Sequence, residues 1–175
     1  MMSDFVQVSD EALNQAADHL GDLLQEQGWV MATAESCTGG WVAKVLTDRP
    51  GSSDYVTAGL VTYSNAAKQA VLGVSAQTLA EHGAVSEPVV RQMVAGALAA
   101  TGADVAVAIS GIAGPGGGSP DKPVGTVWFA WGSGPEHTET AVRRFQGDRD
   151  QVRRQSVLFA LESVSRYLAP ALMDS

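Results

Sequence analysis

The chain has 175 residues, of which 45% are hydrophobic and 17% charged, and its formal net charge is −8. This length and balance fit one ordinary globular domain over 1–175, with a core at about 10–168, and exclude a disordered chain. The acidic charge argues against nucleic-acid or anionic-membrane partners, because both need basic patches.

The cysteine content and the first residues predict the cellular location. Cys37 is the single cysteine, so no internal disulfide can form, as is typical of a reducing cytoplasm. Met1–Asp10 lacks the basic and apolar regions of a signal peptide, and no apolar run reaches the roughly 20 residues of a membrane span. We therefore expect a cytoplasmic protein without a membrane segment.

Predicted helices and strands alternate along most of the chain. They begin with a helix over 9–27 that Ser9 caps and Gly28 ends, a strand over 29–34, a helix from Trp41 to before Pro50, a strand over 55–63 and a helix after Ser64. A short helix over 75–82, an Ala-rich helix over 86–101 and a buried strand over 104–109 follow. The Ala-rich helix fits either a core or an interface, and we expect a core.

The last third of the chain predicts a glycine-rich loop over 110–118, two strands over 125–131 and 139–145 that form a hairpin, and a helix over about 148–168. The alternation of strands and helices indicates an α/β domain. We predict a three-layer α/β/α sandwich, in which the late hairpin makes a mostly parallel sheet mixed.

Three predicted strands end in polar or glycine-rich turns, at 35–40, 62–65 and 110–118. Ligands of open α/β sheets bind at the carboxyl ends of the strands, so these turns form one candidate site.

Ser36 is the first candidate nucleophile in this site. It lies where a strand turns into a helix, and the N–H groups near Cys37 and Thr38 can stabilise an oxyanion there. Gly39 and Gly40 let a substrate approach the backbone. The alternative is that Ser36 only caps the helix.

A serine nucleophile needs a base, and no histidine lies at a strand's carboxyl end. Lys68, one turn into the helix after Ser64, is the other candidate, and its pKa would have to fall from about 10.4 toward 7–8. The alternative is a solvated lysine. Tyr63 is expected either to relay a proton between Ser36 and Lys68 or to keep its hydroxyl in water.

Cys37 is a rival nucleophile, because a helix N-terminus lowers the pKa of a thiol, and its alternative is a small buried residue. The loop over 110–118 resembles a phosphate cradle but is equally consistent with a flexible connection. Arg149 is the candidate anion clamp, or else a solvated arginine. No metal-ligand spacing is visible, so we expect no metal and no other cofactor.

Four sequence blocks together resemble the CinA C-terminal domain family. They are ATAESCTGG, AGLVTYSNAAKQAVLGV, GAVSE and AISGIAGPGGGSPDKPVGTVWFA, and the resemblance extends over about residues 10 to 168. It implies a serine amidase that converts nicotinamide mononucleotide and water to nicotinate mononucleotide and ammonia, and it makes a homodimer plausible.

The resemblance also implies the site. Ser36, Tyr63 and Lys68 fall on the catalytic serine, tyrosine and lysine, and Ser110 stands where the family usually has threonine. Ser36 is expected to lose its proton toward Lys68, directly or through Tyr63, while N–H groups at 37–38 hold the oxyanion. The residues assigned to substrate binding are Glu35, Cys37, Thr38, Gly39, Ser110, Gly111 and Arg149, with Glu35 either near the pyridinium ring or structural.

Two other functions remain open from the sequence. One is a non-catalytic nucleotide-binding or protein-interaction domain of the same fold, since a fold does not guarantee turnover. The other is a serine or cysteine hydrolase that acts on a different amide or ester.

Overall fold

The structure, a computed structural model, describes residues 7–173, and within them the chain forms six α-helices and five β-strands. The strands are β1 (Met31–Glu35), β2 (Val56–Val61), β3 (Val105–Gly111), β4 (Thr126–Gly132) and β5 (Thr138–Arg144). The helices are α1 (Asp10–Gln27), α2 (Trp41–Thr47), α3 (Asn65–Leu72), α4 (Ala76–His82), α5 (Glu87–Thr101) and α6 (Arg149–Met173).

The strands form a single mixed sheet in the order β2-β1-β3-β4-β5. β1 pairs in parallel with β2 and β3, whereas β4 runs antiparallel to both β3 and β5. Four strands therefore point the same way and β4 alone opposes them. The predicted α/β fold with a mostly parallel sheet is confirmed, and the late hairpin is the part that makes the sheet mixed.

Helices cover both faces of the sheet. α1, α2 and α6 pack together on one face, and α3, α4 and α5 form the other layer. Side chains alternate between faces along a strand, so β3 points Val105, Val107 and Ile109 toward the first layer and Ala106 and Ala108 toward α5. The apolar face of α5 is buried in this core, as expected for the Ala-rich helix.

The helix ends follow local signals that the sequence displays. Ser9, Ser64 and Ser75 each accept a hydrogen bond from a main-chain N–H in the first turn of α1, α3 and α4. α6 begins within one residue of its predicted start and continues to Met173, beyond the predicted end near 168.

β3 is longer than predicted. It continues past Ile109 because Ser110 and Gly111 pair with Trp128 and Val127 of β4. The predicted loop at 110–118 thus begins with two strand residues, which the sheet holds in place at its carboxyl edge.

Candidate active site

A cavity of about 300 Å³ lies at the carboxyl ends of β1, β2 and β3. The turn after β1 contributes Ser36 and Cys37, and the turn after β2 contributes Tyr63, Asn65 and Lys68. The segment 110–117 closes a third side, so the three strand ends expected to share a site do line one cavity. Its volume is at the lower end of the range for small-molecule sites.

Ser36 and Lys68 are in direct contact in this cavity. Lys68 Nζ lies 2.9 Å from Ser36 Oγ, 2.8 Å from the main-chain oxygen of Thr62 and 3.3 Å from that of Tyr63. Ser36 is fixed from the other side, because its main-chain N–H donates to the oxygen of Ile109 on β3 at 3.0 Å. The lysine belongs to the first turn of α3, whose start Ser64 caps.

The surroundings of Lys68 favour its neutral form. The residue is 1% exposed, and its amino group contacts only neutral oxygens among the described residues. Burial lowers the pKa of Lys68 below its ordinary value, because a buried ammonium loses its hydration. A neutral amine beside a serine hydroxyl can accept its proton, which makes Ser36 a nucleophile.

Tyr63 contributes to the site through its main chain more than through its ring. Its carbonyl oxygen accepts from Lys68 Nζ and, at 3.4 Å, from Ser36 Oγ. The side chain is 63% exposed, and its hydroxyl accepts from Arg149 Nη2 at 3.3 Å. The phenol oxygen therefore lies toward Arg149 and not between Ser36 and Lys68, where a proton relay would need it.

Glu35 is placed behind the nucleophile rather than beside the substrate. Its buried carboxylate accepts from the hydroxyls of Thr33 and Thr38, at 3.1 and 2.7 Å, and from the N–H groups of Val42 and Ala43, each at 3.0 Å. These bonds anchor the first turn of α2 to the end of β1. The substrate-binding role expected for Glu35 is therefore corrected to an anchoring role.

Thr38 and Gly39 also lie outside the site cavity. They line a separate cavity of about 470 Å³ between α1, α2 and α6, which we call the rear cavity. Thr38 is fully buried, and its hydroxyl is bound to Glu35. The expected substrate contact of the Thr38 side chain is therefore not formed, and Gly39 does not line the site cavity, although the main chain of the same turn remains next to Ser36.

Cys37 lines the site cavity but is a poor nucleophile. Burial raises the pKa of its thiol to about 11, and the positive charge of Arg153 opposes this effect only in part. A thiol with this pKa is protonated at neutral pH, and the thiolate is the reactive form. The geometry therefore favours Ser36 over Cys37.

The glycine-rich segment and Arg149 form the outer half of the cavity. Gly114 and Gly117 have φ angles of 85° and 92°, a region that side chains rarely adopt, so glycine is required for this path. Arg149 Nη1 donates to the oxygen of Gly114 at 2.7 Å and so ties α6 to the loop. Ser110 is almost fully buried and lines the cavity.

The charges around the cavity are one-sided. Lys68 and Arg149 line it, and none of its lining residues is acidic. The expectation that Glu35 would face a pyridinium ring is not met. The outer half, with a guanidinium beside glycine main chain, instead suits an anionic group.

Sequence reasoning missed two lining residues, Ala84 and Val85, which lie in the turn between α4 and α5, whereas Asn65 belongs to the predicted turn at 62–65. The sequence contains a signal for both residues, because they lie in the GAVSE block at 83–87. The predicted site consists of turns at strand ends, whereas this turn joins two helices.

Within residues 7–173, no group of three or more His, Cys, Asp or Glu side chains is placed to hold a metal ion.

Comparison with known proteins identifies relatives of this chain. The family model described as CinA C-terminal domain matches residues 13–168. The nicotinamide-nucleotide amidohydrolase PncC of Escherichia coli K12 is 55% identical over 157 residues, which cover 90% of this chain and 95% of that protein. The Pseudomonas putida protein of the same name is 53% identical over 148 residues, covering 85% and 92% of the two chains.

Solved structures agree with the fold. The competence damage-inducible protein A of Klebsiella pneumoniae superposes with a TM-score of 0.86 at 44% identity, over 90% of this chain and 97% of that one. The competence/damage inducible protein CihA of Agrobacterium tumefaciens has a TM-score of 0.86 at 40% identity, over 95% and 99%. The three-layer α/β arrangement is therefore shared with these proteins.

Proposed function

Because the chain belongs to the CinA C-terminal domain family, we propose that it is an amidohydrolase that converts nicotinamide mononucleotide and water to nicotinate mononucleotide and ammonia. The observation that carries the proposal is the 2.9 Å contact between Lys68 Nζ and Ser36 Oγ, two buried side chains that line the cavity. Relatives that share about half of the sequence are named for this reaction. In this chain, the contact supplies that reaction with a nucleophile, Ser36, and a base, Lys68.

The reaction proceeds through an acyl-enzyme. Ser36 Oγ gives its proton to Lys68 Nζ and attacks the carboxamide carbon, and the oxygen of the carboxamide takes up the negative charge. Lys68 returns the proton to the leaving nitrogen, and ammonia departs. A water molecule then loses a proton to Lys68 and attacks the ester, which releases the carboxylate product and restores Ser36.

The main-chain N–H groups after Ser36 are the proposed donors to the oxyanion. In the described residues, the N–H of Thr38 is not among the donors that reach a main-chain acceptor, and that of Cys37 faces the thiol of its own residue. An N–H without a main-chain partner beside a nucleophile is the arrangement that stabilises a tetrahedral intermediate.

The outer half of the cavity is the proposed site for the substrate's phosphate. Arg149 has no acidic partner among the described ion pairs, and the glycine segment leaves main chain accessible beside it. The ring of Tyr63, braced by Arg149, offers an aromatic face to the cationic pyridinium. This orientation directs the carboxamide toward Ser36.

The setting of the enzyme is also a proposal. We infer a cytoplasmic homodimer that acts on a small nucleotide and binds no nucleic acid. The acidic composition and the single buried cysteine support the location. No helix in the described residues combines the length and apolar character that crossing a membrane requires.

The decisive experiment follows ammonia release from nicotinamide mononucleotide by the wild type, Ser36→Ala and Cys37→Ala. We expect Ser36→Ala to lose about 10³-fold or more in kcat, because removing a covalent nucleophile abolishes the pathway. Cys37→Ala retains turnover. Acid quenching of the wild type during turnover should trap the acyl group on the peptide that contains Ser36, detected by mass spectrometry.

Three other results of this experiment would each contradict a different part of the proposal. Release by Ser36→Ala but not by Cys37→Ala would make the cysteine the nucleophile. No release by a folded wild type contradicts the amidase proposal and leaves a nucleotide-binding domain, which thermal shift with the same nucleotide would detect. Release from other amides alone would indicate a hydrolase of different specificity.

A further inference from the structure

Arg153 lies behind the turn that carries the nucleophile. It extends from α6, one turn after Arg149, and its Nε donates to the main-chain oxygen of Cys37 at 3.0 Å. Its Nη2 donates to the oxygen of Thr38 at 3.3 Å. One guanidinium therefore binds two consecutive carbonyls of the turn between β1 and α2.

The charge of Arg153 is not neutralised by an acid. None of the ion pairs in the described part of the chain includes it. The next residue provides the contrast, because Arg154 pairs with Asp150 and Asp10. Both guanidinium groups lie over the ring of Trp41, at 5.2 and 5.1 Å from its centroid, so they share packing but not hydrogen-bond partners.

The turn is shaped to admit this side chain. Gly39 has a φ of 60°, and a Cβ built there would lie 3.3 Å from Arg153 Nη2. Glycine thus permits both the backbone path and the approach of the guanidinium. The positive charge acts on the site side of the turn as well, because it opposes the rise in the pKa of the Cys37 thiol.

A donor at the Cys37 carbonyl affects the other end of the same peptide group. That peptide ends in the N–H of Thr38, one of the proposed oxyanion donors. A hydrogen bond to the carbonyl polarises the peptide and makes its N–H a stronger donor. The positive charge of Arg153 adds to the stabilisation of negative charge that develops in front of the turn, and its effect at the Cys37 thiol is larger than the opposite effect of the buried Glu35 carboxylate.

On the basis of the proposed amidase function, we propose that Arg153 is a positioning residue that holds the turn at Ser36 and polarises the Cys37–Thr38 peptide toward the oxyanion. The residue acts through the main chain and does not line the site cavity. It therefore contributes to the transition state and not to binding of the substrate.

The test compares Arg153→Ala, Arg153→Lys and Arg154→Ala. We expect Arg153→Ala to lower kcat by about 100-fold with KM unchanged, as for a small misplacement of reacting groups. Arg153→Lys recovers part of the loss, because lysine keeps the charge but lacks the fork of donors. Arg154→Ala loses two ion pairs and the stacking on Trp41, yet keeps the kcat of the wild type.

Chemical rescue separates catalysis from structure. Arg153 lines the rear cavity of about 470 Å³, so a small cation can reach the space that Arg153→Ala leaves. Millimolar guanidinium should restore part of the kcat of Arg153→Ala, whereas urea, a neutral molecule of the same shape, should not. If Arg153 only joins α6 to α2, Arg153→Ala should lose kcat in proportion to its loss of thermal stability, and guanidinium should not restore the kcat.

A second readout does not depend on the natural substrate. An aryl or alkyl phosphonofluoridate forms a bond from Ser36 Oγ to phosphorus and releases fluoride, and its phosphoryl oxygen occupies the oxyanion position. The rate of labelling by intact mass should fall in Arg153→Ala and not in Arg154→Ala. Wild-type kcat and labelling rates in Arg153→Ala, or equal losses in the two variants, overturn the role of Arg153.

The two proposals fail in different ways. A wild type that is labelled at Ser36 but releases no ammonia refutes the mononucleotide amidase, and the labelling rates still decide the role of Arg153. A folded wild type that shows neither reaction overturns both proposals.

Discussion

Lys68 is a buried lysine whose partners are all neutral oxygens. Hydrogen bonds from Nζ satisfy its donors, but no carboxylate of the described residues pairs with it to compensate the loss of hydration of the charged form. Proteins usually expose lysine or pair it, so an unpaired one at 1% exposure marks a site where the neutral amine is needed.

Replacing Lys68 by Met, which keeps the length and removes the base, should lower kcat by about 10²–10⁴-fold, the range for general-base catalysis. In the wild type, kcat/KM should rise with pH as Lys68 loses its proton, with a midpoint below the ordinary pKa of lysine. The pH–rate profile of ammonia release checks this. A profile independent of pH would contradict a role for Lys68 as the base.

The same lowered pKa affects stability. Below the folded pKa, Lys68 is charged in both states and the full cost of burying the charge destabilises the fold. That cost is removed as the pH rises from the folded pKa to the unfolded value of about 10.4, and each unit of lowering contributes about 1.4 kcal/mol. The wild type should therefore gain stability relative to Lys68→Met as the pH rises through this window, measured by urea unfolding.

At the scale of the elements, the parts of the site that the sequence predicts are those that depend on strand ends. Ser36 and Lys68 could be placed together because both follow strands whose carboxyl ends meet at one edge. The helix starts at Ser9, Ser64 and Ser75 could be predicted because capping is a local interaction.

The site predictions that the structure does not support depend on the direction of a side chain or on the packing of layers, and not on the position of a residue in the sequence. Adjacent residues at the end of a strand face opposite sides, so Glu35 points to α2 while Ser36 faces the cavity. Ala84 and Val85 reach the site only because α4 and α5 fold back over the sheet. Neither fact is visible in a motif, since each depends on how the layers pack.

The contact between α3 and α5 sets the position of Lys68. At Gly96 of α5, an added Cβ would overlap with the main-chain oxygen of Leu72, the last residue of α3. The two helices thus approach each other through bare backbone, and glycine is required there although it disfavours a helix.

Gly96→Ala should destabilise the protein, because overpacking against backbone costs about 1–3 kcal/mol or more and this cost outweighs the gain in helix propensity of about 1 kcal/mol. Displacement of α3 should also lower kcat, since Lys68 moves with it. Urea unfolding and ammonia release measure the two effects. Ala99→Ser, at an exposed position of the same helix, is the matched control, and equal behaviour of the two variants would refute the contact.

At the scale of the whole molecule, the net charge of −8 hides a run of arginines between 143 and 154. Within the described residues, Arg154 is the one arginine of this run that forms ion pairs. Arg143 lies over Phe159, whereas Arg144, Arg149 and Arg153 donate to main-chain oxygens and keep their positive charge without an acidic partner.

We expect that about 10 µM protein does not retard duplex DNA at physiological salt, because the net charge of −8 opposes binding to the phosphate backbone. An electrophoretic mobility assay checks this, with a histone as the positive control. Retardation that weakens as salt is raised would show that the arginine run binds the phosphate backbone despite the net charge.

The uneven sizes of the side chains on the two faces of the sheet have a practical consequence for mutagenesis. The face under α5 presents Ala32, Ala34, Ala106, Ala108 and Ala130. An alanine scan, the usual survey of a core, would leave these five positions unchanged and report nothing about this face of the sheet, although it would truncate the larger α5 side chains that cover it. A scan that enlarges side chains, with valine or leucine, would map this face, whereas truncation would map the opposite one.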